Sequence, residues 1–170
     1  MNDGENDING FNRTGSRGLQ KPNKVRIAFD EPKLYICTME IVIDTSIILA
    51  VLLNEPEKAQ IIEMTIGCAL LGPKVIPWEV GNALSAMVKR GRIKSGTAMK
   101  VMELFGSVPL RYVETIIPKA LQLAFELNLY AYDAYFLECA LSYRKPLLTL
   151  DQRLAEAAKR CSVRLLELKR

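Results

Sequence analysis

The sequence contains no histidine. That removes the side chain whose ordinary pKa suits proton transfer near neutral pH, and with it histidine triads, histidine-based ribonuclease chemistry and imidazole-ligated zinc. An active site in this chain has to run on carboxylates, hydroxyls, thiols or amines. Cysteine is scarce as well: Cys37, Cys68, Cys139 and Cys161 form no CxxC pair of the kind used by structural zinc sites and thiol redox motifs. Cys139, set in Leu137-Glu138-Cys139-Ala140-Leu141, reads as core filler in a reducing, cytoplasmic compartment. No apolar run approaches the roughly 20 residues of a membrane span, since the best candidate, Ile47 to Leu53, is broken by Asp44 before it and Asn54 after it. The opening Met1-Asn2-Asp3-Gly4-Glu5-Asn6-Asp7 is polar and acidic, unlike a secretory signal.

Against these absences stand 170 residues, 49% hydrophobic and 25% charged, the composition of one ordinary globular domain with or without a tail. The net charge of +4 permits a polyanionic partner without requiring one. Residues 1 to 24 carry only Ile8, Phe11 and Leu19 as large apolar side chains, too few to offset ordering entropy. Val25, Ile27 and Phe29 alternate like an edge strand until Pro32 interrupts them, so 25 to 37 reads as a stray strand or a linker. The expected division is a disordered or irregular extension over 1–38 and a folded domain over 39–170. The methionine at that boundary raises the hypothesis that Met39 is the natural start, with an ordinary tail as its rival.

Glu40-Ile41-Val42-Ile43 is a β-branched run suited to a buried strand. Apolar periodicity predicts helices over 46–53, 57–70, 78–90, 96–105, 118–128, 133–143 and 152–160. Val80, Ala83, Leu84, Met87 and Val88 give one helical stripe, and Ala98, Val101, Met102 and Phe105 another. Short strands are expected at 111–113, 147–150 and 163–166. Strands alternating with helices imply an α/β domain, a parallel sheet covered on both faces.

Within 39–170 there are only three aspartates, Asp44, Asp133 and Asp151, against eleven glutamates. Asp44 and Asp151 each close a predicted strand, at the edge where open α/β sheets bind ligands. Asp133 shares the apolar stripe of Phe136, Leu137, Ala140 and Leu141, where an ionised group needs a partner. Glu79 opens its helix one turn before Asn82. Taken singly, each aspartate is explained by helix capping and Glu79 by the helix dipole. Taken together they are not, because no lysine or arginine lies within five residues of Asp44 and converging carboxylates hold protons unless a cation sits among them. Oxygen ligands alone favour Mg²⁺ or Mn²⁺ over zinc.

Met39-Glu40-Ile41-Val42-Ile43-Asp44-Thr45-Ser46, Pro77-Trp78-Glu79-Val80-Gly81-Asn82-Ala83-Leu84, Tyr132-Asp133-Ala134-Tyr135 and Leu148-Thr149-Leu150-Asp151-Gln152-Arg153-Leu154 resemble, in order and spacing, the four acidic motifs of PIN-domain nucleases, VapC-type toxins in particular. The resemblance spans 39–170. It implies a three-layer α/β/α domain with a parallel sheet of about five strands. It also implies that Asp44, Glu79, Asp133 and Asp151 hold one or two Mg²⁺ or Mn²⁺ ions, with Thr45, Ser46, Asn82 and Thr149 in support. The implied activity is endonucleolytic cleavage of RNA, and the implied partners are a cognate antitoxin protein and a second copy in a homodimer. Independently, helices 78–90 and 96–105 carry Met87, Met99 and Met102 as adaptable contact residues for a partner.

Lys89, Arg90, Arg92, Lys94 and Lys100 form a basic stretch with no acid among them, read either as a solvated helix end or as a flank for a polyanion. Tyr130, Tyr132, Tyr135 and Tyr143 cluster around Asp133, more as packing residues than as base-stacking platforms. Three other functions compete. One is a PIN nuclease that matures RNA or cuts DNA. Another is a catalytically silent PIN fold that binds nucleic acid or protein. A phosphoacceptor domain would need paired acids just upstream of Asp44, and only Glu40 precedes it.

Overall fold

The computed structural model describes residues 39–168. The expected extension at 1–38, its stray strand and the last two residues lie outside the described residues. The elements run β1 (Met39–Ile43), α1 (Thr45–Leu52), α2 (Lys58–Thr65), β2 (Cys68–Pro73), α3 (Ile76–Lys89), α4 (Ser95–Phe105), β3 (Leu110–Val113), α5 (Ile117–Leu127), α6 (Ala131–Tyr143), β4 (Leu147–Leu148) and α7 (Gln152–Arg160).

The strands form one sheet in the order β3-β2-β1-β4, parallel throughout, with Ile41 opposite Leu70, Ile43 opposite Leu148 and Leu70 opposite Leu110. α6 lies across β2, β1 and β4 and carries α5 and α7, while α1 gathers α2, α3 and α4. The result is a three-layer α/β/α sandwich. Ile41, Val42, Leu71, Leu147 and Leu148 are sealed in its middle, packed with Ile47, Val80, Phe136, Leu137 and Leu154. Buried on both faces, these strands read as continuous apolar runs instead of alternating ones.

Three expectations need correction. The helix expected over 57–70 stops at Thr65, and Cys68–Pro73 is a strand at the centre of the sheet. An unbroken apolar run such as Cys68-Ala69-Leu70-Leu71 has no period to separate strand from buried helix. The stop signal is Gly67, whose φ of 71° suits the residue after a helix end. The strand expected over 147–150 ends at Leu148, because Thr149 turns aside to accept the Asp151 N–H at 2.9 Å. The strand expected over 163–166 is a single parallel bridge from Leu165 to Leu147. It fills the fifth position beside a strand only two residues long, which offers little ladder to pair with.

Two close approaches position the rest. At Gly72 an added Cβ would lie 2.2 Å from Cδ1 of Ile76, so this glycine lets the start of α3 sit against the end of β2. Glu40, at the far end of β1 from Asp44, is ion-paired to Arg111 and, at 2.7 Å, to Lys145, which occupies the one acid a phosphoacceptor site would have needed. No helix among the described residues is long and apolar enough to cross a membrane.

Candidate active site

The register between β1 and β4 sets the first half of the site. Pairing of Ile43 with Leu148 brings the residues that follow them side by side, and the Asp44 N–H donates to the Leu148 carbonyl at 3.2 Å. Asp44 adopts the extended conformation of an N-cap, with its Oδ1 accepting from the Ser46 and Ile47 amides and its Oδ2 accepting from the Thr149 hydroxyl. In return the Ser46 hydroxyl oxygen accepts the Leu150 N–H at 3.0 Å. The Asp151 N–H donates to Thr149 Oγ1, and Asp151 Oδ1 caps α7 through the Leu154 N–H at 2.9 Å. Capping is therefore true of both Asp44 and Asp151. It does not account for where Asp44 sits, since only 4% of its surface is exposed.

The second half arrives from α3 and α6. Glu79 stands in the first turn of α3, and Thr45 Oγ1 donates to its Oε2 at 2.6 Å. Asp133 lies in the first turn of α6, where Phe136, Leu137 and Ala140 of the expected stripe are buried and Asp133 and Leu141 are half-buried.

Electrostatics tie the four carboxylates into one group. Burial pushes the Asp44 carboxyl up, opposed by the hydrogen bonds from Ser46 and Thr149. Glu79 is pushed up to about 7, by burial first and then by repulsion from Asp44 and Asp133, against the hydrogen bond from Thr45. Asp133 is pushed up to about 6 by burial and by the charges of Asp151 and Asp44, with Arg153 pulling the other way. Glu79 thus feels Asp44 and Asp133, Asp133 feels Asp151 and Asp44, and among the described residues the opposing positive charge is that of Arg153 on Asp133.

This donor set suits a hard divalent cation: it is all oxygen, and its negative charge is under-compensated. Among the described residues no three acidic or cysteine side chains meet closely enough to form a ready-made cage. Mg²⁺ does not require one, because it commonly keeps several waters and is held through one or two carboxylates.

Of the expected supporting residues, Thr45, Ser46 and Thr149 are hydrogen-bonded into the cluster. Asn82 is exposed one turn along α3, with no bond to the acids. Lys89, Arg90, Arg92, Lys94 and Lys100 are all exposed, at the end of α3, in the turn after it and on α4. Lys89 follows Glu79 by ten residues, about 15 Å along α3, so the start of the basic stretch stands well away from that acid. Tyr143 packs against the core, Tyr135 packs on the Ala120, Ala124 and Ala134 cluster and edge-on to the partly exposed Tyr132, and Tyr130 is 73% exposed. Reading by motif singled out neither Arg153 nor Glu138. Arg153 follows the cap Asp151 by two positions, and that spacing is the signal that could have found it. Glu138 is 2% exposed and was hidden among the apolar neighbours that mark the helix as core.

Comparison with known proteins gives the family. No curated protein sequence matches the chain. Among solved structures, PAE2754 from Pyrobaculum aerophilum is 25% identical with a TM-score of 0.56, over 70% of this chain and 86% of that one. VapBC2 from Rickettsia felis, solved bound to a DNA fragment from its promoter, shares the fold at 12% identity and a TM-score of 0.54, over 77% of this chain and 100% of that one. VapBC-1 from nontypeable Haemophilus influenzae shares it at 18% identity and a TM-score of 0.53, over 76% and 98%. The sequence profile of the PIN domain matches residues 41–160, a span that contains all four acids, and the chain belongs to the PIN domain family.

Proposed function

We propose that this chain is a Mg²⁺- or Mn²⁺-dependent endoribonuclease, the toxin of a type II toxin–antitoxin pair acting in the cytoplasm. The observation that carries the reading is the gathering of Asp44, Glu79 and Asp133 with raised pKa values beside Asp151, where among the described residues the opposing positive charge is that of Arg153 on Asp133. Asp44, Glu79, Asp133 and Asp151 would hold the cation. When bound, it supplies Lewis acidity, easing deprotonation of water and neutralising charge on the phosphodiester. The protein's own part follows from its hydrogen bonds. Thr149 and the α1 amides fix the Asp44 carboxylate, and Thr45 fixes that of Glu79. A carboxylate of the four that the cation leaves free takes the proton of the attacking water, and Glu79, oriented by the Thr45 hydroxyl, is suited to that part. Arg153 lies where it can steady a phosphate beside Asp133.

The toxin assignment draws on the motif resemblance and on fold likeness to two structures that carry the VapBC name. It brings an antitoxin partner and a homodimer into the same reading. The test is cleavage of single-stranded RNA by the purified chain, lost with EDTA and restored with Mn²⁺. Growth arrest on expression, relieved by the neighbouring open reading frame, tests the toxin part. Cleavage without growth arrest would instead favour an RNA-maturing PIN nuclease.

A further inference from the structure

A second concavity opens on the same edge of the sheet as the acids, displaced toward β3. Its walls come from Pro73 and Lys74 at the end of β2, Trp78 on α3, Thr115 after β3, Ile117 on α5 and Tyr135 on α6. Its volume is about 340 Å³, at the small end for ligand pockets and suited to a nucleoside.

Trp78 is the only tryptophan in the chain, and it is 68% exposed although Ile76 and Val80 on either side of it are fully buried. An indole face left open in this way loses favourable burial unless something covers it. Tyr135 is braced by an edge-on contact with Tyr132, ring centroids 6.0 Å apart. Lys74, at the rim, is ion-paired with Glu114. The Thr115 hydroxyl oxygen is buried with no hydrogen-bond partner among the described residues, a group that calls for explanation.

We propose that this pocket receives one nucleobase of a single-stranded RNA whose backbone crosses the acidic cluster. Trp78 stacks on the base, Tyr135 and Ile117 close the sides, Thr115 hydrogen-bonds the base edge and Lys74 faces the adjoining phosphate. The reading rests on the ribonuclease assignment and adds to it how the strand is held. Its geometry comes from the topology: Trp78 immediately precedes Glu79, and the strand order places β3 two positions from β1, about 10 Å from Asp44 by ladder spacing. That distance falls within reach of a nucleotide flanking the cut. Stacking on an aromatic face tolerates any base, so the pocket contributes grip more than sequence choice. The apolar surface continues along α5 through Ile117, Leu121 and Phe125, which makes a protein partner the competing occupant.

The test uses the full chain in EDTA, where nothing is cut, with a short single-stranded oligoribonucleotide of mixed sequence. Because Trp78 is the sole tryptophan, its fluorescence reports the pocket directly. Saturable quenching is expected, with Trp78→Ala weakening Kd by roughly tenfold to a hundredfold and Trp78→Phe keeping most of the affinity. With Mn²⁺ present, KM should rise by the same factor while kcat stays within about twofold, the pattern of an interaction made equally in ground and transition states. RNA binding with unchanged Trp78 fluorescence, and equal affinity in Trp78→Ala, would overturn the pocket and leave the ribonuclease standing. A Trp78→Ala variant with halved mass by light scattering and unaltered Kd would make this face a subunit interface. A chain that neither binds nor cuts RNA would overturn both readings.

Discussion

Thr45 Oγ1 donates a hydrogen bond of 2.6 Å to Oε2 of Glu79, 34 positions away, and so links the helices that follow two neighbouring strands. The bond is the main influence holding the Glu79 pKa down against burial and repulsion. Thr45→Val keeps the shape of a buried residue and deletes the donor. The acid limb of the pH–rate profile should then move to higher pH, with about 1–2 kcal/mol lost from stability. Thr45→Ser should restore both. An acid limb that stays in place in Thr45→Val would mean that a group other than Glu79 governs it.

How far this was legible in the sequence depended on the kind of signal. Val80, Leu84, Val101 and Phe105 are buried as their helical spacing requires, because an amphipathic period records burial directly. Asp44 was legible as a carboxylate at a strand end, and Asp151 as a helix cap, though β4 stops three residues before it. Their partnership was not, since the Thr149 bond between them depends on β1 pairing with β4 across 105 positions. β2 escaped because a strand buried on both faces carries no alternation, leaving Gly67 before it and Gly72-Pro73 at its end as its punctuation. Glu138 escaped for the opposite reason: its pattern said core, and the residue is in the core.

That buried carboxylate supports the next prediction. Glu138 Oε2 accepts the Ile116 N–H at 3.1 Å and its Oε1 accepts from the Ser142 hydroxyl, so α6 holds the loop that enters α5. Glu138→Ala strands a backbone donor and leaves a void. It should lower unfolding free energy by about 2–4 kcal/mol in urea titration. Metal-dependent cleavage at low temperature should survive, because Glu138 is not among the groups acting on Asp44, Glu79 or Asp133. Lost cleavage with unchanged stability would assign Glu138 to the chemistry instead.

The raised carboxyls make metal-free stability depend on pH with a definite sign. Glu79 and Asp133 bind protons more tightly folded, at about 7 and about 6, than at their ordinary 4.5 and 3.8. Their contribution favours the fold below the ordinary values and is lost as pH rises through the folded ones. For Glu79 the loss is on the order of 3 kcal/mol. Thermal unfolding in EDTA should therefore show a lower Tm at about pH 8 than at about pH 5, and Mg²⁺ should raise Tm more at the higher pH. Equal shifts by Mg²⁺ at both would separate cation binding from these carboxyls.

Asp44→Asn tests whether the cap or the charge is the reason for the aspartate. Asparagine caps helices about as well as aspartate, and its oxygen can accept the Ser46 and Ile47 amides as Oδ1 does now. If capping were the whole role, the variant would be silent in stability and activity. The 4% exposure of Asp44 and its repulsion of Glu79 and Asp133 argue otherwise, because removing a buried like charge relieves strain on the metal-free fold. The metal-free variant should thus be at least as stable as the parent, its Glu79 should titrate nearer 4.5, and Mg²⁺ should no longer raise its Tm. RNA cleavage should fall at least about a hundredfold. Since stability and cleavage move in opposite directions, misfolding cannot imitate the result, and EDTA-resistant cleavage by the purified variant would leave capping as the sole role of Asp44.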